Sequence, residues 1–421
     1  VSQSFRRTYH DPLHGAITLD SADPSEALLI QLIDTPVFQR LRRIRQLGTA
    51  SLTFHGAEAS RFTHSLGVMQ VARRVFDHLV RYYPELQPHR TVFLCAALLH
   101  DLGHGPLSHT CEDIFQSNHE HWTSRILQED PVMAEFLAKT DPQLVRSLQS
   151  VYTKHYPVPI IHQLISGQLD CDRLDYLLRD SYCTGASYGT LDLDRIILAL
   201  RYDPKTQHLF IDQKGLAAIE HYLVVRYFMY IQVYNHPKNI ASSWGLAQVI
   251  RRAKETVATR QLYTDRAMLA WLTQSNDILS LPDYLGADDG WLLYHLSQWQ
   301  LGGDHLLADL SRRYLQRDLL KAEDISSYAA EARAELLLKS QLLIQQQDLD
   351  PTYYTGIQVS TTRGYTVYQR GIEVRFPQQI LDISDVSPLV HSLIPPTQRA
   401  MLIYPKEIEA NLFPPQRPPK S

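Results

Sequence analysis

The sequence predicts a mainly α fold: a helical core over residues 1–345, a small α+β C-terminal subdomain over 346–412 and a disordered tail over 413–421. Three observations carry that expectation. Apolar residues recur at helical spacing through the first part, as in Val68, Val71, Ala72, Val75, Phe76 and Leu79. The pattern then changes, and residues 357–361, 365–369, 372–376 and 400–404 read as strands, with Arg363-Gly364 and Arg370-Gly371 as turns. The last nine residues are Pro-rich and lack periodicity.

Composition narrows the class. Of 421 residues, 44% are hydrophobic and 20% charged, as in an ordinary globular protein with a sizeable core. The formal net charge of -4 supplies no general basic field for nucleic acid or an anionic membrane. Cys95, Cys111, Cys171 and Cys183 show no C-x-x-C spacing, which points to reduced thiols and a cytoplasmic protein. No apolar run reaches the ~18–20 residues of a membrane span, and the N-terminus has no signal-peptide pattern. Histidine stands out: there are 19, clustered between His55 and His121.

In chain order, residues 16–19 alternate as a short extended piece, and a helix is expected over 26–33. Asp34-Thr35-Pro36 reads as a cap for a helix over 37–47, rich in arginine and ended by Gly48. A long helix runs from Arg61 to about residue 83, with His64 in its first turn. Residues 92–99 are continuously apolar and end in His100-Asp101 and the breaker Gly103-His104-Gly105-Pro106. A helix apolar all round belongs in a core; polar groups at its buried end need partners, and its C-terminal dipole favours a cation. Helices follow over 119–127, 131–139 and 142–151. Another begins near Ile160 and leads into 166–180, where Asp172, Tyr176, Asp180 and Arg173 share one arc at about 100° per residue. In the run 215–235, Tyr222, Arg226, Tyr230 and Tyr234 recur every four residues, and helical patterning continues over 251–346.

His64, His100, Asp101 and Asp172 form a mixed nitrogen and oxygen set suited to one divalent ion, with Mg, Mn, Fe, Ni and Zn all compatible. Such an ion polarises a phosphoryl oxygen and lowers the pKa of bound water. His104, His109 and His119 are the nearby candidates for acid/base work, because imidazole titrates near neutral pH.

Six ordered motifs make the pattern specific: Asp11-Pro-Leu-His-Gly15, Asp34-Thr-Pro-Val-Phe-Gln-Arg-Leu-Arg42, Gln46-Leu-Gly48, Arg61-Phe-Thr-His-Ser-Leu-Gly67, His100 to His109, and Asp172 to Asp180. Together they resemble the HD-domain deoxynucleoside triphosphate triphosphohydrolases, a family with a vertebrate sterile-alpha-motif/HD-domain member and bacterial relatives. The resemblance implies an HD-type helical core, with the metal site within residues 61–180. It implies hydrolysis of a dNTP to deoxynucleoside and inorganic triphosphate, by water attack at the α-phosphorus. His64, His100, Asp101 and Asp172 become the metal ligands, and His109, with Glu112 and His119, the acid/base group. Arg61, Arg173, Tyr176 and Arg226 hold the triphosphate, with which a second Mg can travel. Gln46 and Asp180 bind the sugar 3′-hydroxyl, Leu47 presses on the 2′ position and Tyr234 lines the sugar pocket. Arg7, Asp34, Gln39, Arg42 and Arg317 match an activator site for GTP or a dNTP between subunits of a homotetramer. This chain carries Glu112 where the vertebrate member has Asp, and Arg173 where it has Lys. The rival readings are another HD phosphohydrolase, a nucleotidase or phosphodiesterase, and a non-catalytic or nucleic-acid-binding regulator.

Overall fold

The computed structural model describes residues 5–259, 262–367 and 370–414. It opens with an antiparallel hairpin, Arg6–Asp11 paired with Gly15–Asp20. The Asp11 carboxylate closes the turn by accepting the backbone N–H groups of Leu13 and His14. Asp23 caps the helix Pro24–Ile33, and Thr35 caps a short one, Pro36–Gln39.

The single helix expected over 37–47 does not form. After Gln39 the chain tightens into a 3₁₀ turn, Arg40–Arg43, and Ile44 is extended. The cause is Arg40: its buried guanidinium donates to the carbonyls of Ala287 and His104 instead of pointing to solvent. Beyond it, Arg45 bridges Ser60 and the Gln46 N–H donates to the Ala59 carbonyl, so Gln46 and Leu47 lie beside the start of the next helix.

That helix, Arg61–Val80, is capped by Ser60 and packs against Arg90–Leu99 and Cys171–Thr184. Gly67 permits the close approach, because a Cβ there would stand 2.0 Å from Asp175 Oδ1 and 2.3 Å from Arg179 Nη2. Val68, Val71, Ala72, Val75 and Phe76 meet Phe93, Leu94, Ala97 and Leu98 in a dry core. The Arg90–Leu99 helix stops at His100, and residues 100–108 bend towards the helices His109–Phe115 and His119–Glu129. Gly103 lets that bend press on the latter, since a Cβ would meet the His119 carbonyl oxygen at 2.1 Å.

The expected continuity from Ile160 into 166–180 is broken. A short helix, Pro159–Gln163, is followed by a loop, and Asp170 then caps Cys171–Thr184. The helix Leu216–Met229 runs into a π-helical turn, Tyr230–Tyr234, so the tyrosine stripe does not keep a uniform pitch.

Two sheets gather strands from both sides of residue 345, so that expected boundary does not separate them. One has the order Leu200–Asp203, His208–Asp212, Glu373–Arg375, Ile380–Asp382; in the other, Thr397–Tyr404 lies between Lys321–Asp324 and Gly356–Thr362. Residues 365–367 are not a strand, because the Tyr365 N–H donates to the Leu393 carbonyl and its hydroxyl to Asp382. The other part of that expected strand, 368–369, and tail residues 415–421 lie outside the described residues. Phe413, expected in the disordered tail, packs against Tyr404 with ring centroids 5.6 Å apart. Among the described residues no helix is long and apolar enough to cross a membrane.

Candidate metal-dependent active site

Three helices bring four side chains from three distant stretches of the chain to one point. His64, from the first turn of Arg61–Val80, directs Nε2 at Asp172 Oδ1, 3.0 Å away, and lies 3.4 Å from Asp101 Oδ2. His100, at the end of Arg90–Leu99, places Nε2 3.3 Å from Asp101 Oδ1 and 3.7 Å from Asp172 Oδ1. Both imidazoles are anchored through the other nitrogen: Nδ1 of His64 donates to Asp175 at 2.8 Å and Nδ1 of His100 to the Ala97 carbonyl at 2.9 Å. Among the described residues their buried Nε2 atoms have no hydrogen-bond partner. Imidazoles anchored at one nitrogen, with the other facing two carboxylates, are what a divalent cation requires. Burial disfavours an imidazolium at His64, yet Asp172, Asp175 and Asp101 outweigh it and push it up to about 10: this point favours positive charge. The residues present fit the metal.

Asp175 escaped the sequence reading. Its Oδ1 accepts from His14 Nε2 at 2.6 Å and Arg179 Nη2 at 3.0 Å; its Oδ2 accepts from His64 Nδ1 and Arg179 Nε, both at 2.8 Å. Arg179 also donates to Asp11 at 2.9 Å. The N-terminal hairpin is thereby tied to His64 through a fully buried carboxylate. The signal was available: Asp175 falls about 60° from Asp172 on the helical wheel, on the side opposite Arg173.

Beside the metal ligands stands a second group, His104, His109, Glu112 and His119. Glu112 accepts from Nδ1 of His109 at 2.7 Å, from Nδ1 of His119 at 2.9 Å and from the His119 N–H at 2.8 Å. Burial opposes its charge, but these bonds hold its carboxyl well below the usual range. With Nδ1 donating to Glu112, Nε2 of His109 is the atom left to exchange a proton, and the ring is 65% exposed. His104 is buried between the groups, its Nε2 3.3 Å from Asp101 Oδ1 and its ring stacked on His119 at 4.1 Å. Burial, Arg61 and His119 keep it neutral, with its pKa well below the usual imidazole value.

The bend that carries these histidines is fastened from several sides. Arg61 donates to Asp101 Oδ2 at 2.5 Å and Ser108 Oγ at 2.8 Å, and Ser108 Oγ donates to the Arg45 carbonyl. Asp289 accepts from the Leu107 N–H at 2.7 Å. Leu107 and Ser108 have φ of 51° and 54°, a left-handed backbone that costs non-glycine residues about 1–3 kcal/mol each and persists where the surroundings enforce it.

His100, Asp101, Asp172 and His109 open on a cavity of about 450 Å³, with His64 buried behind them. Gln46, Leu47, Arg61, Tyr176, Asp180 and Tyr234 share its wall, as does His119. Tyr234 donates its hydroxyl to Asp180 Oδ2 at 2.9 Å, while buried Asp180 Oδ1 has no partner among the described residues. Burial pushes the Asp180 carboxyl up to about 7. Two residues assigned to the triphosphate stand elsewhere. Arg173 lines a neighbouring cavity and donates to Asp170 at 3.1 Å; Arg226 donates to Gln168 Oε1 at 3.1 Å. At about 100° from Asp172, Arg173 has turned past the metal-facing arc.

Four of the residues matched to an activator site form a chain at the surface. Arg7 pairs with Asp34, Arg42 Nε donates to Gln39 Oε1 at 2.8 Å and its guanidinium lies 3.6 Å over the Phe62 ring, while Gln39 Nε2 reaches the Ile33 carbonyl. Arg317 donates to the Leu52 carbonyl.

Helical layers that deliver a histidine, a His-Asp pair and a later Asp to one cavity define an HD-type protein, and comparison with known proteins agrees. The HD domain model matches residues 61–177 and the HD associated region model residues 191–335. The chain belongs to the HD-domain family. It is 37% identical to the protein YwfO of Bacillus subtilis, over 96% of this chain and 93% of that one. It is 33% identical to the deoxynucleoside triphosphate triphosphohydrolase SAMHD1 of Homo sapiens, over 45% of this chain and 35% of that protein. A crystal structure of a phosphohydrolase from Bacteroides thetaiotaomicron superposes with a TM-score of 0.83 at 28% identity, covering 95% of this chain and all of that one.

Proposed function

We propose that this chain is a metal-dependent phosphohydrolase that converts dNTPs to deoxynucleosides and inorganic triphosphate. One observation carries the reading: a single cavity is walled at once by metal ligands, by the Glu112-oriented His109 and by Gln46, Leu47, Tyr176, Asp180 and Tyr234. The partial match to SAMHD1 supports the same substrate class.

His64, His100, Asp101 and Asp172 hold the cation, which when bound supplies Lewis-acid polarisation of a phosphoryl oxygen and a more acidic water. The protein supplies the rest. Water oxygen bonds to the α-phosphorus and releases a proton to solvent as the bond from that phosphorus to the 5′-oxygen breaks; His109 Nε2, protonated beforehand from solvent, donates the proton that the departing 5′-oxygen needs. Glu112, held anionic, keeps Nδ1 protonated and stabilises the imidazolium before transfer. Gln46 and the Asp180–Tyr234 pair receive the 3′-hydroxyl, and Leu47 occupies the space a 2′-hydroxyl would need. Arg61, Tyr176 and, on reorientation, Arg173 and Arg226 meet the triphosphate charge, which a second Mg accompanies. Arg7, Asp34, Gln39, Arg42 and Arg317 form the activator contact of a homotetramer for GTP or a dNTP.

The test is incubation with Mn²⁺ or Mg²⁺ and each dNTP, alone and mixed with GTP, followed by separation of products. Deoxynucleoside and triphosphate in equal amounts is the expected result. Deoxynucleoside monophosphate with pyrophosphate, or release of orthophosphate alone, would sink the proposal.

A further inference from the structure

Asp289, the first residue of the helix Asp289–Trp299, belongs to the HD associated region and is not among the residues lining the metal-centred cavity. Its buried carboxylate takes one backbone N–H from each of two segments that form that cavity: Oδ1 accepts from Leu107 at 2.7 Å and Oδ2 from Arg45 at 3.0 Å. Arg45 immediately precedes Gln46 and Leu47 on the sugar-facing wall, and Leu107 is followed by Ser108 and His109. The two segments also touch directly. Ser108 Oγ donates to the Arg45 carbonyl at 2.5 Å, and a Cβ on Gly48 would stand 2.6 Å from the Leu107 carbonyl oxygen. Neighbours of Asp289 fasten the same pieces: the Ala287 carbonyl accepts from Arg40, and Tyr284 donates to the Gly103 carbonyl at 2.5 Å.

We propose that Asp289 is a positioning residue that fixes the spacing between the sugar-facing wall at Gln46-Leu47 and the proton donor His109. This role rests on the phosphohydrolase reading of the cavity, and it makes sugar selection and turnover depend together on one remote carboxylate. Two N–H donors converge on a single side chain, and only a group with two acceptor oxygens satisfies both. An amide of the same shape turns its NH₂ towards one donor, and a methyl leaves both N–H groups without this acceptor. The first turn of a helix also favours a negative charge, so the anion is held where it stands. Leu107 and Ser108, with φ of 51° and 54°, keep their left-handed backbone only while the surroundings enforce it. Removal of the bond at Leu107 therefore reaches His109, and removal of the bond at Arg45 reaches Gln46 and Leu47. A displacement of about 1 Å at a reacting group costs on the order of 10²-fold in rate.

The test compares wild type, Asp289→Asn and Asp289→Ala with Asp288→Ala. The last removes the cap of the same helix, where Asp288 accepts the Trp291 N–H at 2.9 Å, and spares the bonds to Arg45 and Leu107. Three quantities are measured on the full chain: amide hydrogen exchange at residues 45–48 and 105–109, bound metal per chain, and kcat/KM for dATP and for ATP. Both Asp289 variants are expected to exchange faster in the two segments and to retain the metal. Their kcat/KM for dATP falls about tenfold or more and the dATP-to-ATP ratio falls several-fold. Asp288→Ala keeps the wild-type ratio even where its melting temperature drops. An unchanged ratio in the Asp289 variants, or an equal fall in Asp288→Ala, overturns the positioning role. Wild type that hydrolyses no dNTP is instead the failure of the proposed function. The Asp289 clamp is then judged on exchange: faster exchange in both segments of Asp289→Asn sustains it, and unchanged protection overturns it.

Discussion

At the scale of single residues, the site depends on which atom of each histidine is left free. His64 and His100 bond through Nδ1 and present Nε2, and His109 does the same through Glu112. Asp172→Ala is expected to lose both bound metal and turnover, read by metal analysis and by assay. Asp175→Asn leaves every metal ligand in place and still weakens metal binding by about 10–100-fold, because the anchor of His64 is lost. It also lowers stability by about 1–3 kcal/mol, since buried Arg179 loses one carboxylate partner and keeps only Asp11. Metal titration of the folded variant distinguishes the two effects; unchanged affinity removes Asp175 from the account. Asp180 gives a signed pH effect. Its carboxyl is raised to about 7 by burial, above the ordinary value of 3.8, so the native state binds the extra proton between these values. The stability it contributes is full below about pH 4 and lost as pH rises through about 7. Wild type is therefore expected to lose stability relative to Asp180→Asn between pH 5 and pH 8 in thermal melts; parallel curves contradict the assignment.

At the scale of elements, helices were legible where capping and periodicity agreed. The spacing from Val68 to Leu79 and the apolar run ending at His100 mark two of the three helices that carry the candidate metal ligands. What was hidden depends on partners far along the chain. Arg40 reads as a surface arginine until Ala287 and His104 offer it carbonyls, and the resulting 3₁₀ turn delivers Gln46 and Leu47 to the cavity. Of the opening hairpin only residues 16–19 were read as extended; Arg6–Asp11, Leu200–Asp203, His208–Asp212 and Lys321–Asp324 were unread, because strands of a few residues leave little local periodicity and the last pairs with Thr397–Tyr404 far along the chain. The π-helical turn at Tyr230–Tyr234 was invisible to a uniform helical count, yet it carries Tyr234, the partner of Asp180. If the Arg40 turn places a sugar gate, Leu47→Ala lowers the preference for dNTP over NTP several-fold with little change in melting temperature. An unchanged kcat/KM ratio for the two substrates removes Leu47 from that role.

At the scale of the whole molecule, the candidate ligand set and His109 lie within the six ordered motifs, and Glu112, His119 and Tyr234 were named from the resemblance those motifs carry, while the anchoring role of Asp175 and the neighbouring cavity beside Arg173 needed the packed structure. That cavity illustrates the reason: the sheet that pairs His208–Asp212 with Glu373–Arg375 brings His208 and Arg370 to one wall, a pairing no local pattern announces. Assembly is a further expectation at this scale. If Arg7, Asp34, Gln39 and Arg42 meet a nucleotide between subunits, light scattering shows a tetramer that GTP or a dNTP stabilises. Arg42→Glu then shifts the molecule to smaller species; a monomer whose mass ignores nucleotide contradicts this. The central claim is water attack on the α-phosphorus of a dNTP at the His64, His100, Asp101 and Asp172 centre. The most direct test is a single turnover of dGTP with Mn²⁺ in H₂¹⁸O, with mass analysis of both products. One ¹⁸O in inorganic triphosphate and none in the deoxynucleoside is the predicted result; labelled deoxynucleoside, or deoxynucleoside monophosphate in place of the free nucleoside, contradicts it.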